Sequence, residues 1–221
     1  MKKQFALSLL LCLAFGTAAP AWAAKQKKIT VTPSEAKIHI DGNYVGDGVY
    51  TVKFGSRDDF FIVKLEAPGY VTKTVKVMKE DTRKNIHFEL KEDDALLSSV
   101  ASNLANQYFT VRVREAVDEN LAWKLLAQVV LNYFDEIKTS DKASGFMNTA
   151  WAIQSFPRAE SKVRTRMQIK EITNEGLAYQ VKISSEIAPM NAGEQSYKAW
   201  PYLLKKYEPL INELQQRLGK N

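Results

Sequence analysis

The chain has 221 residues, of which 45% are hydrophobic and 25% charged, with a formal net charge of +6. These are ordinary globular values, so a collagenous, largely disordered or disulfide-stapled chain is excluded. Mean hydropathy is −0.29, and the only stretch apolar enough to enter a bilayer is short and N-terminal, which excludes a multi-pass membrane protein.

Lys2 and Lys3 precede an apolar run from Phe5 to Phe15, and Ala21-Trp22-Ala23 follows as a small-x-small site. This is the layout of a secretory signal peptide over residues 1–23. The run falls short of the ~20 apolar residues a spanning helix needs. The only cysteine, Cys12, lies inside this run behind Leu11. A lipidated cysteine needs a small residue before it, so lipidation is not expected. The mature chain then has no thiol and no disulfide. Cleavage also removes two lysines and lowers the net charge from +6 to +4. That mild excess favours anionic envelope polymers and does not suggest nucleic acid.

Lys25-Gln26-Lys27-Lys28 reads as a solvated basic tail. Residues 29–91 read as short strands of period two. Ile38-His39-Ile40, Phe61 to Leu65, Val71 to Val77 and Ile86 to Leu90 all alternate apolar and polar side chains, the pattern of half-buried antiparallel strands. Asp41-Gly42 suits a tight hairpin. Pro68-Gly69 suits the centre of a type II turn. The spacing predicts a small antiparallel β-sandwich.

This stretch resembles the PEGA domain family. Pro33-Ser34-Glu35-Ala36 stands where that family has its name-giving tetrapeptide. Asp41-Gly42-Asn43-Tyr44-Val45-Gly46 and Ala67-Pro68-Gly69-Tyr70 continue the pattern. Asp47-Gly48 replaces the proline the family usually carries. The resemblance implies an all-β module of bacterial envelope and surface proteins that binds or spaces.

Glu92-Asp93-Asp94 marks a boundary, with Asp94 expected to cap a following helix. Residues 95–221 read as an α+β unit. Leu121 to Phe134 is an amphipathic helix with Leu121, Leu125 and Val129 on one stripe. Four strand-like segments follow at about 135–140, 146–153, 160–173 and 176–187, a meander with the helix over one face. The helix around Trp123, the opening at Asp135-Glu136-Ile137, Phe146 to Phe156 and Arg164-Thr165-Arg166 resemble in order the helix-grip domains of the lipoprotein C subunit of the outer-membrane β-barrel assembly machine. Ser196 to Gly219 reads as a C-terminal helix with Leu203, Tyr207, Leu210, Leu214 and Leu218 on one stripe. Pro209 should kink or split it. Glu213 and Arg217 form an i, i+4 pair worth ~0.2–0.5 kcal/mol.

Signals for chemistry are few. His39 and His87 lack partners at ligand spacing, so no metal is expected. No nucleophile, dinucleotide or phosphate-loop motif occurs. Asp58-Asp59, Asp93-Asp94 and Asp135-Glu136 are sequence neighbours, which along a strand point apart, so no catalytic pair and no cofactor is expected. Arg158, Arg164, Arg166 and Lys170, with Lys162, form the densest basic group. On one strand, Arg164, Arg166 and Lys170 share a face that is either solvated, with partners such as Glu175 or Glu186, or an anionic contact surface. Tyr44 and Tyr70 stand at turns, where they either pack the turn or stack on a sugar. Trp123, Trp151 and Trp200 read as core. The expectation is a non-enzymatic periplasmic or envelope protein acting as a protein-interaction or scaffold module, binding another envelope protein through the sheet or the C-terminal helix. The alternative is a glycan or cell-wall binder using Tyr44 and Tyr70.

Overall fold

Alternating burial along the first strand sets the N-terminal unit. In the computed structural model, which describes residues 25–172 and 176–220, β1 (Lys25–Thr32) turns Lys27, Ile29 and Val31 inward. The signal-peptide reading and Cys12 fall outside the described residues, as do Thr173, Asn174 and Glu175. Six more strands follow: β2 (Lys37–Ile40), β3 (Asn43–Asp47), β4 (Val49–Phe54), β5 (Phe60–Glu66), β6 (Lys73–Met78) and β7 (Asn85–Glu89). They form two sheets, β4-β1-β7 and β3-β2-β5-β6. Ile29, Val31, Ile38, Val52, Phe54, Val63, Leu65, Val77 and Ile86 fill the space between them. One pair, β1 with β7, runs parallel rather than antiparallel.

The basic segment at the start of β1 is strand, not a solvated tail. It pairs with β4 from Lys25 onward. Lys27 is only 2% exposed, and its ammonium donates to the carbonyls of Asp81 and Arg83. A buried ammonium is tolerable only with such acceptors. The turns follow their residue chemistry. Asp41 and Gly42 both adopt positive φ (50° and 87°), as the β2–β3 hairpin requires. Gly69 has φ 80° and Tyr70 N–H donates to the Ala67 carbonyl (3.2 Å), closing the type II turn.

The second unit has its own core. Its elements are α1 (Asp94–Leu97), β8 (Ser99–Ala101), β9 (Tyr108–Arg112), α2 (Glu119–Tyr133), β10 (Ile137–Asp141), β11 (Phe146–Thr149), β12 (Ala152–Phe156), β13 (Ser161–Ile172), β14 (Ala178–Pro189), β15 (Lys198–Ala199), β16 (Tyr202–Leu204) and α3 (Glu208–Leu218). The large sheet runs β10-β11-β13-β14-β15, with β12 also on β13 and β9 also on β14. The fold class is α+β: two small sheets, then a large sheet with helices on one face. Among the described residues, no helix is long and apolar enough to cross a membrane.

Several local expectations change. Asp93, not Asp94, caps α1 by accepting the Leu96 N–H (2.9 Å). The Asp94 carboxylate instead accepts the N–H groups of Arg158 and Ala159 (3.2 and 2.9 Å). The α2 stripe is shifted off Leu121: Ala122, Leu126, Val129 and Val130 are buried, while Leu121 is exposed. The C-terminal helix begins only at Glu208. Tyr202–Leu204 pair with β8 instead, and Pro209 stands in the first turn of α3, where its missing N–H costs nothing. All five residues of the predicted stripe are nevertheless buried, and Arg217 pairs with Glu213 at 2.9 Å. Phe134 at the end of α2 stacks on Tyr207 before α3 (4.9 Å, 14°).

Candidate interaction face of the large sheet

β13 presents Val163, Thr165, Met167 and Ile169 to the helices, and Lys162, Arg164, Arg166, Gln168 and Lys170 to the other side. Among the described residues that second side carries no α-helix, so its chemistry is set by the neighbouring strands and by the 194–197 loop beside each β13 residue.

A β-bulge makes the centre of this face. Asn148 stands opposite Gln168 in the β11–β13 pair, whereas Ala152 stands opposite Thr165 in the β12–β13 pair. Ala150 and Trp151 therefore both oppose Arg166. Two residues facing one locally reverse the alternation. Strict alternation from Phe146 would send Trp151 into the core, as the sequence reading had it. The bulge turns it outward instead. The Thr149 hydroxyl accepts the Met167 N–H (3.0 Å) at the break in the ladder.

Trp151 then becomes the middle of a stack. The guanidinium carbons of Arg166 and Arg164 lie 4.4 and 4.3 Å from its ring centroid. Arg164 also lies 3.9 Å from the ring of Tyr197. Its Nε donates to Glu186 (2.7 Å) and its Nη1 to Glu194 (2.5 Å). Arg164 is only 14% exposed at the side chain and is internally neutralised. It acts as the pillar of the face. The Tyr197 hydroxyl is pushed above its ordinary pKa, first by burial and then by Glu194. Lys162 is spent on the Ala192 carbonyl (2.8 Å).

Beyond the pillar the balance changes. Arg166 faces Ser184, Gln168 faces Lys182, and Lys170 faces Gln180. Tyr108 of β9 stands beside Lys182 and is 45% exposed. The ammonium groups of Lys182 and Lys170 lie 5.4 and 5.5 Å from its ring. Phe146 lies beside Lys170 and Asn148 beside Gln168. Ile153, opposite Arg164, is 55% exposed.

The expected site residues thus separate. Arg164, Arg166 and Lys170 share one face. Arg158 does not join them. Its Nη1 pairs with Glu92 (2.8 Å), beside a groove of about 440 Å³ between residues 71–74, 89–91 and 158–160. Tyr44 is 55% exposed, and its pKa is raised by the hydrogen bond it gives Asp47. Tyr70 is half-buried against the N-terminal core. Tyr44 lies near the β2–β3 hairpin, level with Lys64 through His39. Tyr70 follows the Glu66 end of β5, bridged to Glu92.

Both histidines and Asp58 have structural partners. His39 contacts Glu66 (3.0 Å) and His87 the Thr30 hydroxyl (3.0 Å). Asp58 accepts the Gly55 N–H (2.7 Å). Among the described residues, no cluster of His, Cys, Asp or Glu is placed to hold a metal. Sequence reasoning missed Tyr108, Lys182, Trp151, Tyr197 and Glu194. Tyr108 and Lys182 were within reach, since Tyr108 to Arg112 and Ala178 to Glu186 both alternate. Trp151 depends on a bulge, and Tyr197 and Glu194 on a loop folding back over β13. No family model matches the chain, and no curated protein matches it in sequence.

Proposed function

We propose that this is an exported, non-enzymatic protein of the bacterial cell envelope that works as a protein-interaction or scaffold module. Its working surface is the face of the large sheet opposite the α-helices. One observation carries the reading: the bulge that turns Trp151 outward and stacks it between Arg164 and Arg166. Holding a large aromatic and an arginine rigidly at a surface is what interface anchors need, because it lowers the entropy lost on binding. The N-terminal pattern of Lys2, Lys3 and Phe5 to Ala23 supports export. The PEGA-like residues 33–70 and the helix-grip-like order of 121–166 support an envelope setting. Arg158 belongs to the contact between the two units, and the N-terminal unit serves as a spacer. Glycan stacking on Tyr44 and Tyr70 is the second reading and has less support, since the Tyr70 ring is half-buried against the N-terminal core.

The test is photo-crosslinking in living cells with a photoreactive residue at Ile153 or Tyr108, both exposed on the face, followed by mass spectrometry. A recurring envelope protein is expected. Adducts confined to cell-wall fragments, formed with the photoreactive residue placed instead at Tyr44 or Tyr70, would replace the interaction reading with glycan binding.

A further inference from the structure

Beyond the Arg164 pillar, three cations of β13 and β14 occupy successive rungs of one face. Arg166 stands on the first rung, Lys182 on the second and Lys170 on the third. Each shares its rung with an uncharged β13 or β14 neighbour: Ser184, Gln168 and Gln180. None of the three forms an ion pair among the described residues, whereas Arg164, two residues away, holds two. Asp141, at the far end of the Lys170 rung, is turned into its own hairpin, where it accepts the N–H groups of Ala143 and Ser144. Lys170 and Lys182 converge on one tyrosine ring. Like charges at such cross-strand neighbours repel, so the face is relieved by an incoming anion.

The spacing selects the kind of anion. Alternate residues of a strand repeat at roughly 6.7 Å, so the three cations span roughly 13 Å along the sheet. A single phosphate or carboxylate is too small to reach all three. An extended polypeptide with an acidic side chain at every second position places one carboxylate on each rung. Its intervening side chains point away, and Tyr108, Phe146 and Trp151 supply apolar contact along its flanks. We infer that this face docks an extended, alternately acidic segment of a partner protein. The inference deepens the proposed interaction role and rests on it.

The experiment uses the mature chain and a labelled seven-residue peptide alternating threonine and glutamate, with its glutamine counterpart as control, read by fluorescence anisotropy. The glutamate peptide is expected to bind and to weaken with added salt, since exposed charges are screened within ~10 Å at 0.1 M. The glutamine peptide is expected not to bind. The double variant Lys170→Gln, Lys182→Gln removes two exposed pairs and is expected to weaken binding about fivefold. Lys25→Gln with Lys28→Gln, on the other unit, is expected to change nothing. Equal binding of both peptides, or an equal loss in both double variants, overturns the inference. So does binding to vesicles of phosphatidylglycerol, lost in the Lys170/Lys182 variant, without binding to the peptide. If the cellular crosslink captures a protein at this face while the glutamate peptide fails, the acidic-segment inference falls and the interaction role stands. If the peptide binds while the crosslink finds only wall fragments, the interaction role falls.

Discussion

Arg164→Ala removes the pillar of the exposed sheet face, and its cost can be worked from the contacts. Two aromatic faces, Trp151 at 4.3 Å and Tyr197 at 3.9 Å, lose their cation; half-buried cation–π contacts contribute about 0.5–1 kcal/mol each. Glu186, 26% exposed, loses its partner at 2.7 Å. A fully buried orphan would cost about 3–5 kcal/mol; partial solvation reduces this to about 1–2 kcal/mol. Glu194 is 76% exposed and contributes little. The total is about 2–4 kcal/mol. Arg164→Lys keeps the charge but loses the planar fork and stacking, and should cost about half as much. Urea unfolding of residues 24–221 is the assay. The tryptophans after residue 23, Trp123, Trp151 and Trp200, all lie in the second unit, so in a chain of residues 24–221 their fluorescence reports that unit alone. With a slope of about 2 kcal/mol per molar urea, Arg164→Ala should lower the midpoint by about 1–2 M. A shift equal to that of an exposed-surface substitution, about 0.25 M or less, would refute the pillar role.

Three further outcomes are expected. Lys27→Met leaves the carbonyls of Asp81 and Arg83 without their buried donor and should destabilise the N-terminal unit by about 1–3 kcal/mol, read by circular dichroism on residues 25–91 or the mature chain; no change would mean that water replaces the ammonium. Gly48→Ala places a Cβ against the Ser34 carbonyl at a φ of +66°, so it should lower the melting temperature of that unit, while Gly42→Ala, with open space around it, should cost less. Tyr207 has its hydroxyl pushed up to about 12 by burial. The folded state holds this proton more tightly than the unfolded chain, so the stabilisation is full below pH 10 and is lost as pH rises from 10 to about 12. Alkaline difference absorbance should show several late-titrating tyrosines, Tyr179 and Tyr197 among them, and one fewer in Tyr207→Phe.

What could be read locally was read from period and turn chemistry. The alternation of residues 29–91 and 160–187 marks strands because side chains along a strand alternate between a wet and a dry face. Asp41-Gly42 and Pro68-Gly69 mark turns because few other residues tolerate those dihedrals. The same periodicity placed Arg164, Arg166 and Lys170 on one face. It failed wherever a distant partner decided the outcome. Lys27 looked solvated until the 81–83 loop supplied its acceptors. Tyr202–Leu204 fitted a helical stripe, and only pairing with β8 made them strand. Arg158 belonged to the basic run by sequence, but Glu92 across the unit boundary took it away.

Trp151 gives the physical reason most directly. Its local pattern predicts core, and a single extra residue opposite Arg166 reverses that. The register of β11, β12 and β13 is a property of three strands at once, so no window of sequence contains it. Composition and period determined the elements, the two units and the sign of the exposed face. Tertiary pairing decided which cations are neutralised, which remain free and which aromatic ring stands between them.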